Sequence, residues 1–272
     1  MKIINWIYRT FKKKSTHKYN DTFDKKRLVL NLKKDPDDTR DYPLLFKAIP
    51  RAEIPKQIDL REYFTVIKNQ GSIGSCAGFA SCASAEYLRN KDTIKSKSKE
   101  SLFDLSELFV YYNARKLQGW ENQDSGSYLR DICKTLMDDG IALEEVYPYD
   151  PAKVFEKPSW MAYFCARALR IKSYYRVMDI NGMKQALSRG MPIIIGITVY
   201  NNFFNYKEGI YKTNTGQQSG GHAITVVGYD DDKGAFLIRN SWGIGWGESG
   251  YVWYDYNTLM SNLMDAWVIS YD

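Results

Sequence analysis

The chain has 272 residues, 44% of them apolar and 26% charged, which is enough to bury a sizeable core and ordinary for a globular protein. A net charge of +6 invites a nucleic-acid reading, but the excess lies in residues 1–54, with 14 Lys/Arg against 7 Asp/Glu, while residues 55–272 are balanced to within one charge. The body therefore carries no specific nucleic-acid signature, and no stretch reaches the roughly 18 apolar residues of a transmembrane helix.

Residues 1–54 read as a basic leader with a few apolar positions (Leu28, Val29, Leu30, Leu32) and a turn-forming run, D-P-D-D-T-R-D-Y-P. At the start, M-K-I-I-N-W-I-Y-R-T-F-K-K-K has Asn5 and Arg9 where a secretory signal needs an unbroken apolar run. Ile3, Ile4, Ile7 and Phe11 can share one face of a short helix, suited to docking on the protein itself or, weakly, on a membrane surface. The predicted boundary with the body falls at residue 54.

From there to about residue 140 the pattern is helical. Residues 78–88, rich in Ala, Ser and Cys, predict a central helix packed on several sides, and 102–117 and 127–137 show apolar residues at helical spacing. The lysine-rich run 92–99 reads as a solvated loop. After a short helix at 183–187 the period changes. Residues 191–200, 223–229, 235–239 and 250–254 are β-branched and aromatic, as strands require. Helices first and antiparallel strands second predict an α+β protein of two lobes. Asp230 to Gly234 reads as a hairpin turn rather than a calcium loop, and Glu144–Glu145 as a solvated turn.

Four cysteines are present: Cys76, Cys82, Cys133 and Cys165. Cys76 lies in Q-G-S-I-G-S-C-A-G-F-A, where Ser75 can cap the helix that follows. In the first turn of a helix, unpaired N–H groups and the positive dipole end favour a thiolate and can also serve an oxyanion. With one thiol free as a nucleophile, three remain, a poor count for a disulfide framework. Buried thiols in a reducing compartment such as the cytoplasm are the expectation. The spacing resembles no zinc site, so neither metal nor cofactor is expected.

A thiolate nucleophile needs a base that later protonates the leaving amine. Of two histidines, His17 lies among leader lysines and reads as a surface residue, whereas His222 stands in S-G-G-H-A-I-T-V-V-G-Y at the start of a strand. R-N-S-W-G-I-G-W-G-E-S-G-Y then presents Asn240, whose side-chain oxygen can accept the second imidazole N–H, and Trp242, whose indole can shield that bond.

The body resembles the papain family of cysteine peptidases. The matching pieces are I-P-K-Q-I-D-L-R from residue 54, Gln70 with G-S-C at 74–76, Gly126, E-E-V-Y-P-Y from 144, G-H-A at 221–223 and the run from Asn240. The resemblance implies a helical left lobe and an antiparallel β-barrel right lobe with the active-site cleft between them. It implies Cys76 as nucleophile, His222 as its ion-pair partner, Asn240 as orienter and Gln70 as oxyanion donor. Gly126 and Gly221 would line the substrate path, and Trp242 would cover the Asn240–His222 bond. Ile73 stands where the family has a disulfide-bonded cysteine, and Ala77 where an aromatic follows the nucleophile. These departures resemble a disulfide-poor branch of bacteria, archaea and large DNA viruses, for which a virion is a second location.

The resemblance implies a peptidase acting on proteins or peptides through an acyl-enzyme at Cys76. Only two histidines leave no pair for an occluding loop, which favours endopeptidase action. The leader is expected to cover the cleft as a propeptide, since P-D-D-T-R-D-Y at 36–42 resembles a segment preceding the catalytic domain in that branch. The alternatives are a catalytically silent papain-like binding protein, against which Gln70, Cys76, His222 and Asn240 together argue, or an acyl transferase or peptide ligase.

Overall fold

A computed structural model describes residues 23–44, 54–97 and 102–272. The proposed N-terminal amphipathic helix and His17 lie outside the described residues.

Helix α1 (Cys76–Lys95) is the axis of the molecule. Its first three turns are buried on all sides, which its Ala, Ser, Cys and Gly content permits by letting neighbours approach closely. Gly78 is the tightest point: a Cβ there would fall 2.6 Å from the carbonyl oxygen of Glu107. The helix runs through Asp92 to Lys95, where a loop was expected, because Lys95 closes its last turn and Ser96 N–H caps the Asp92 carbonyl. Helix α2 (Glu107–Lys116) starts at Ser106, whose side chain accepts the Phe109 N–H; residues 102–106 before it are not helical. Helix α3 (Leu129–Asp138) packs on α2, and the short α4 (Trp160–Ala166) follows. Together they enclose one core with Ile132, Leu136, Leu105 and Phe109 at its centre.

The second lobe is built on an eight-stranded sheet. Its strands are β1 (Gln57–Asp59), β2 (Ser173–Arg176), β3 (Ile193–Tyr200), β4 (Ile210–Tyr211), β5 (Gln218–Asp230), β6 (Ala235–Arg239), β7 (Tyr251–Asp255) and β8 (Leu263–Ser270). The order is β2-β8-β3-β5-β6-β7-β4, with β1 added to β5; every pairing is antiparallel except β4 with β7. Helices α5 (Ile180–Ser188) and α6 (Tyr256–Asn262) complete this lobe. Its core gathers Ile195, Val226, Leu237, Phe236 and Val268.

The expected turn between β5 and β6 is a hairpin, in which Asp230 accepts the N–H groups of Asp232 and Lys233. Glu144 departs from expectation. It is 2% exposed, accepts the Tyr149 N–H at 2.7 Å, and burial pushes its carboxyl up to about 9. Neighbouring Glu107 adds to that rise, and a turn exposed in isolation is buried here by the helices around it.

Candidate active site

Cys76 opens α1 at the junction of the lobes and is fully buried. Ser75 does not cap the helix through its side chain; its Oγ pairs with Tyr149 Oη at 2.7 Å, and Tyr149 Oη donates to the Gln70 carbonyl at 2.6 Å. A tertiary partner thus takes the hydroxyl that local sequence assigns to a cap. The backbone N–H groups of Cys76, Ala77 and Ala223 all reach the Cys76 sulfur and favour its thiolate, but burial outweighs them and pushes the thiol up to about 11.

His222 lies on β5, which packs against α1: Thr225 Oγ1 donates to the Ala80 carbonyl at 3.0 Å, one helical turn on from Cys76. Pairing of Thr225 with Arg239 brings the end of β6 beside the same stretch, so Asn240 faces His222. His222 Nε2 and Asn240 Oδ1 are 2.8 Å apart. That bond commits Nε2 as the donor and leaves Nδ1, buried and without a hydrogen-bond partner, as the basic nitrogen. Burial lowers the imidazole to about 4, against the smaller raising effect of Asn240. Trp242 stacks on His222 with ring centroids 4.7 Å apart, and Trp246 meets Trp242 edge-on.

Gln70 is fully buried beside this group. Its N–H donates to the Ser241 carbonyl at 2.9 Å, its Oε1 accepts from Ser241 Oγ at 2.8 Å, and its Nε2 donates to the Ile73 carbonyl at 3.1 Å. The turn carrying Cys76 is held by a residue that sequence reasoning missed. Asp124 accepts from Gly74 N–H at 3.0 Å and from Tyr111 Oη at 2.5 Å. Its sequence signal, a carboxylate two residues before Gly126, is too short to be read alone.

Residues 23–33 cross this site. Leu32 N–H donates to the Gly221 carbonyl at 3.2 Å, and Lys33 N–H to the Ser127 carbonyl at 3.1 Å, so the segment is pinned to both walls. Asn31 Nδ2 donates to the Asp124 carbonyl, and Phe23 stacks on Trp242. Gly126, at φ +74°, has Asn31 against it: a Cβ there would lie 2.0 Å from the Asn31 carbonyl oxygen. Its own N–H is given to Tyr111 Oη. Gly221 is similarly close to Leu32. Cys82, Cys133 and Cys165 are free, buried thiols.

A buried thiol at a helix start and an Asn-bonded imidazole, set between a helical and a β lobe, define a papain-like cysteine protease. The chain belongs to that family: the model of the papain family of cysteine proteases matches residues 54–269. An uncharacterized peptidase of this class from Acanthamoeba polyphaga mimivirus is 30% identical over 269 residues, spanning 91% of this chain and 81% of its own. Ananain of Ananas comosus is 32% identical over 234 residues, 83% of this chain and 61% of its own. Among solved structures, xylellain, a cysteine protease from Xylella fastidiosa, superimposes with a TM-score of 0.76 at 33% identity, covering 92% of this chain and 99% of that one. As the four free thiols show, the described cysteines form no disulfides.

Proposed function

We propose that this protease is an endopeptidase in which Cys76 is the nucleophile, His222 the proton carrier, Asn240 its orienter and Gln70 an oxyanion donor, made as a precursor covered by its own leader. The observation that carries the catalytic reading is the 2.8 Å bond from His222 to Asn240 beneath Trp242, which leaves Nδ1 as the free base. In the reaction, the thiolate sulfur bonds to the substrate carbonyl carbon and the oxyanion draws on backbone N–H groups at the helix start. The imidazolium gives its proton to the departing amine as the C–N bond breaks, leaving an acyl-enzyme. Water then attacks, His222 takes a proton from it, and the C–S bond breaks to release the acid and restore the thiol. Nucleophile and base act as one coupled pair, so activity should be bell-shaped in pH.

The precursor reading is supported by the pinning of Leu32 and Lys33 between Gly221 and Ser127, in the path a substrate backbone would take. The experiment is labelling with an epoxide inhibitor of papain-like enzymes, with peptide mapping, before and after the leader is cut. Modification at Cys76 that accelerates after the cut supports both parts. Labelling of Cys82, Cys133 or Cys165 with Cys76 untouched overturns the mechanism.

A further inference from the structure

The leader touches the body in two chemically different ways. Around the cleft, residues 23–33 are held by backbone hydrogen bonds from Leu32 and Lys33, the Asn31 side chain, the stacking of Phe23, the ammonium groups of Lys25 and Lys33 over Phe204 and Trp120, and the burial of Leu32. The groups they cover, such as the Gly221 and Ser127 carbonyls, can pass to water or substrate once uncovered.

Residues 35–44 are bound by buried charge instead. Asp35 is 3% exposed; its N–H donates to Asp265 Oδ2 at 2.8 Å, and its carboxylate accepts from the Arg130 N–H at 3.1 Å and from Trp267 Nε1 at 2.9 Å. The Asp41 carboxylate takes Arg130 through Nε and Nη2, at 2.8 and 2.7 Å, and Arg176 at 2.8 Å. Arg176 turns its other nitrogen to Asp265 Oδ1 at 2.8 Å. The backbone continues the pattern, with Arg176 N–H donating to the Tyr42 carbonyl and Leu44 N–H to that of Arg176, along the end strand β2.

We infer that residues 35–44 occupy a second binding site on the body, separate from the cleft, and that they remain there as a permanent clasp in the active enzyme. This rests on the precursor reading above. Hydrolysis of a peptide bond N-terminal to Asp35 would free the cleft and leave the clasp in place. The reason is asymmetry of cost. Without the clasp, Trp267 Nε1 and Asp265 lose partners in the interior and two arginines lose the carboxylate they share, and stripping one side from a buried ionic network is strongly destabilising. Without residues 23–33, the body loses the apolar contacts of Leu32 and uncovers backbone groups along the cleft, but no buried charge is left without its partner. The functional boundary of the body then lies at Asp35, not at residue 54.

The test uses the folded full-length chain carrying a recognition sequence for a specific protease, inserted either between Lys33 and Lys34 or between Leu44 and Ile54. Cutting at the first site should raise hydrolysis of a small peptide at least roughly tenfold, a shift of about 1.4 kcal/mol in the covering equilibrium, with residues 35–44 still bound. Cutting at the second should leave residues 35–44 bound through gel filtration, seen by mass spectrometry. In enzyme trimmed at the first site, Asp41→Asn should lower Tm while Asp38→Asn, whose partner Arg40 is exposed, should not. If the fragment dissociates after the second cut with Tm and activity matching the first-cut enzyme, the clasp is overturned. If the first cut brings no gain in hydrolysis, the covering role fails, and retention of the fragment together with the Asp41→Asn shift still decides the clasp.

Discussion

Cys76 and His222 are both fully buried, and desolvation acts against each charged form. Burial pushes the thiol up to about 11 and the imidazole down to about 4, each toward its uncharged form. The sign follows from proton binding. A state with His222 in water binds more protons between about 4 and 6.5 than the covered state does, so burial of the imidazole opposes covering as pH falls from about 6.5 toward 4, and burial of the thiol opposes it again as pH rises from about 9 toward 11. The imidazole contributes on the order of 3 kcal/mol to that balance. Alkylation of Cys76 followed against pH is expected to be slow in the full-length chain at neutral pH and to extend into the acidic range after trimming; identical profiles would show that the leader does not set the ionisation. Asn240→Ala should lower kcat of the trimmed enzyme about 10²-fold with KM little changed, because it frees the imidazole to rotate without touching the thiol. A fall in KM-controlled binding with kcat intact would assign Asn240 a different role.

The helix α1 and the strap it faces set accessibility at the scale of elements. Gly78 lets α1 approach the start of α2, and a methyl there would collide with backbone that has no rotamer to yield. Gly78→Ala is therefore expected to cost about 1–3 kcal/mol, read as a lower midpoint in urea with unchanged slope. Leu32 is the apolar anchor of the strap, 5% exposed and packed toward Gly196 and Leu129. Truncating a buried leucine to alanine costs about 2 kcal/mol or more. Leu32→Ala in the full-length chain should raise peptide hydrolysis by about 30-fold or more, and no rise would mean that this side chain does not hold the cleft shut. Periodic patterns in the sequence predict the elements where the period is strong, as in β6 (Ala235–Arg239). They miss β2 and β8, which pair Ser173 with Ser270 through a ladder no local pattern contains. The run 92–99 reads as loop for its lysines, yet residues 92–95 are helical, because lysine is a good helix former and Lys95 points into solvent.

Across the whole molecule, two cores share α1, and the junction between them is fastened by hydrogen bonds and buried charge. Lys68 bridges Glu86, Asp104 and Glu107 at 2.7–2.8 Å, and residues 69–70 are zipped to 241–242. All four cysteines are free. Thermal unfolding of the full-length chain should therefore give the same Tm with and without a thiol reductant; a drop on reduction would reveal a covalent link this architecture does not need. The sequence alone singled out the proposed reacting groups: Cys76 in its glycine-flanked helix start, His222 after two glycines and Asn240 before Trp242. Those roles need particular residue types at fixed local settings, and local settings are written in short motifs. Only the tertiary structure decided what surrounds them. Glu144 is buried rather than solvated, Ser75 serves Tyr149 rather than the helix, and residues 31–33 lie across the cleft while Asp35 and Asp41 grip the body behind it. Each of these depends on desolvation and on partners tens to hundreds of residues away, which spacing along a chain cannot carry.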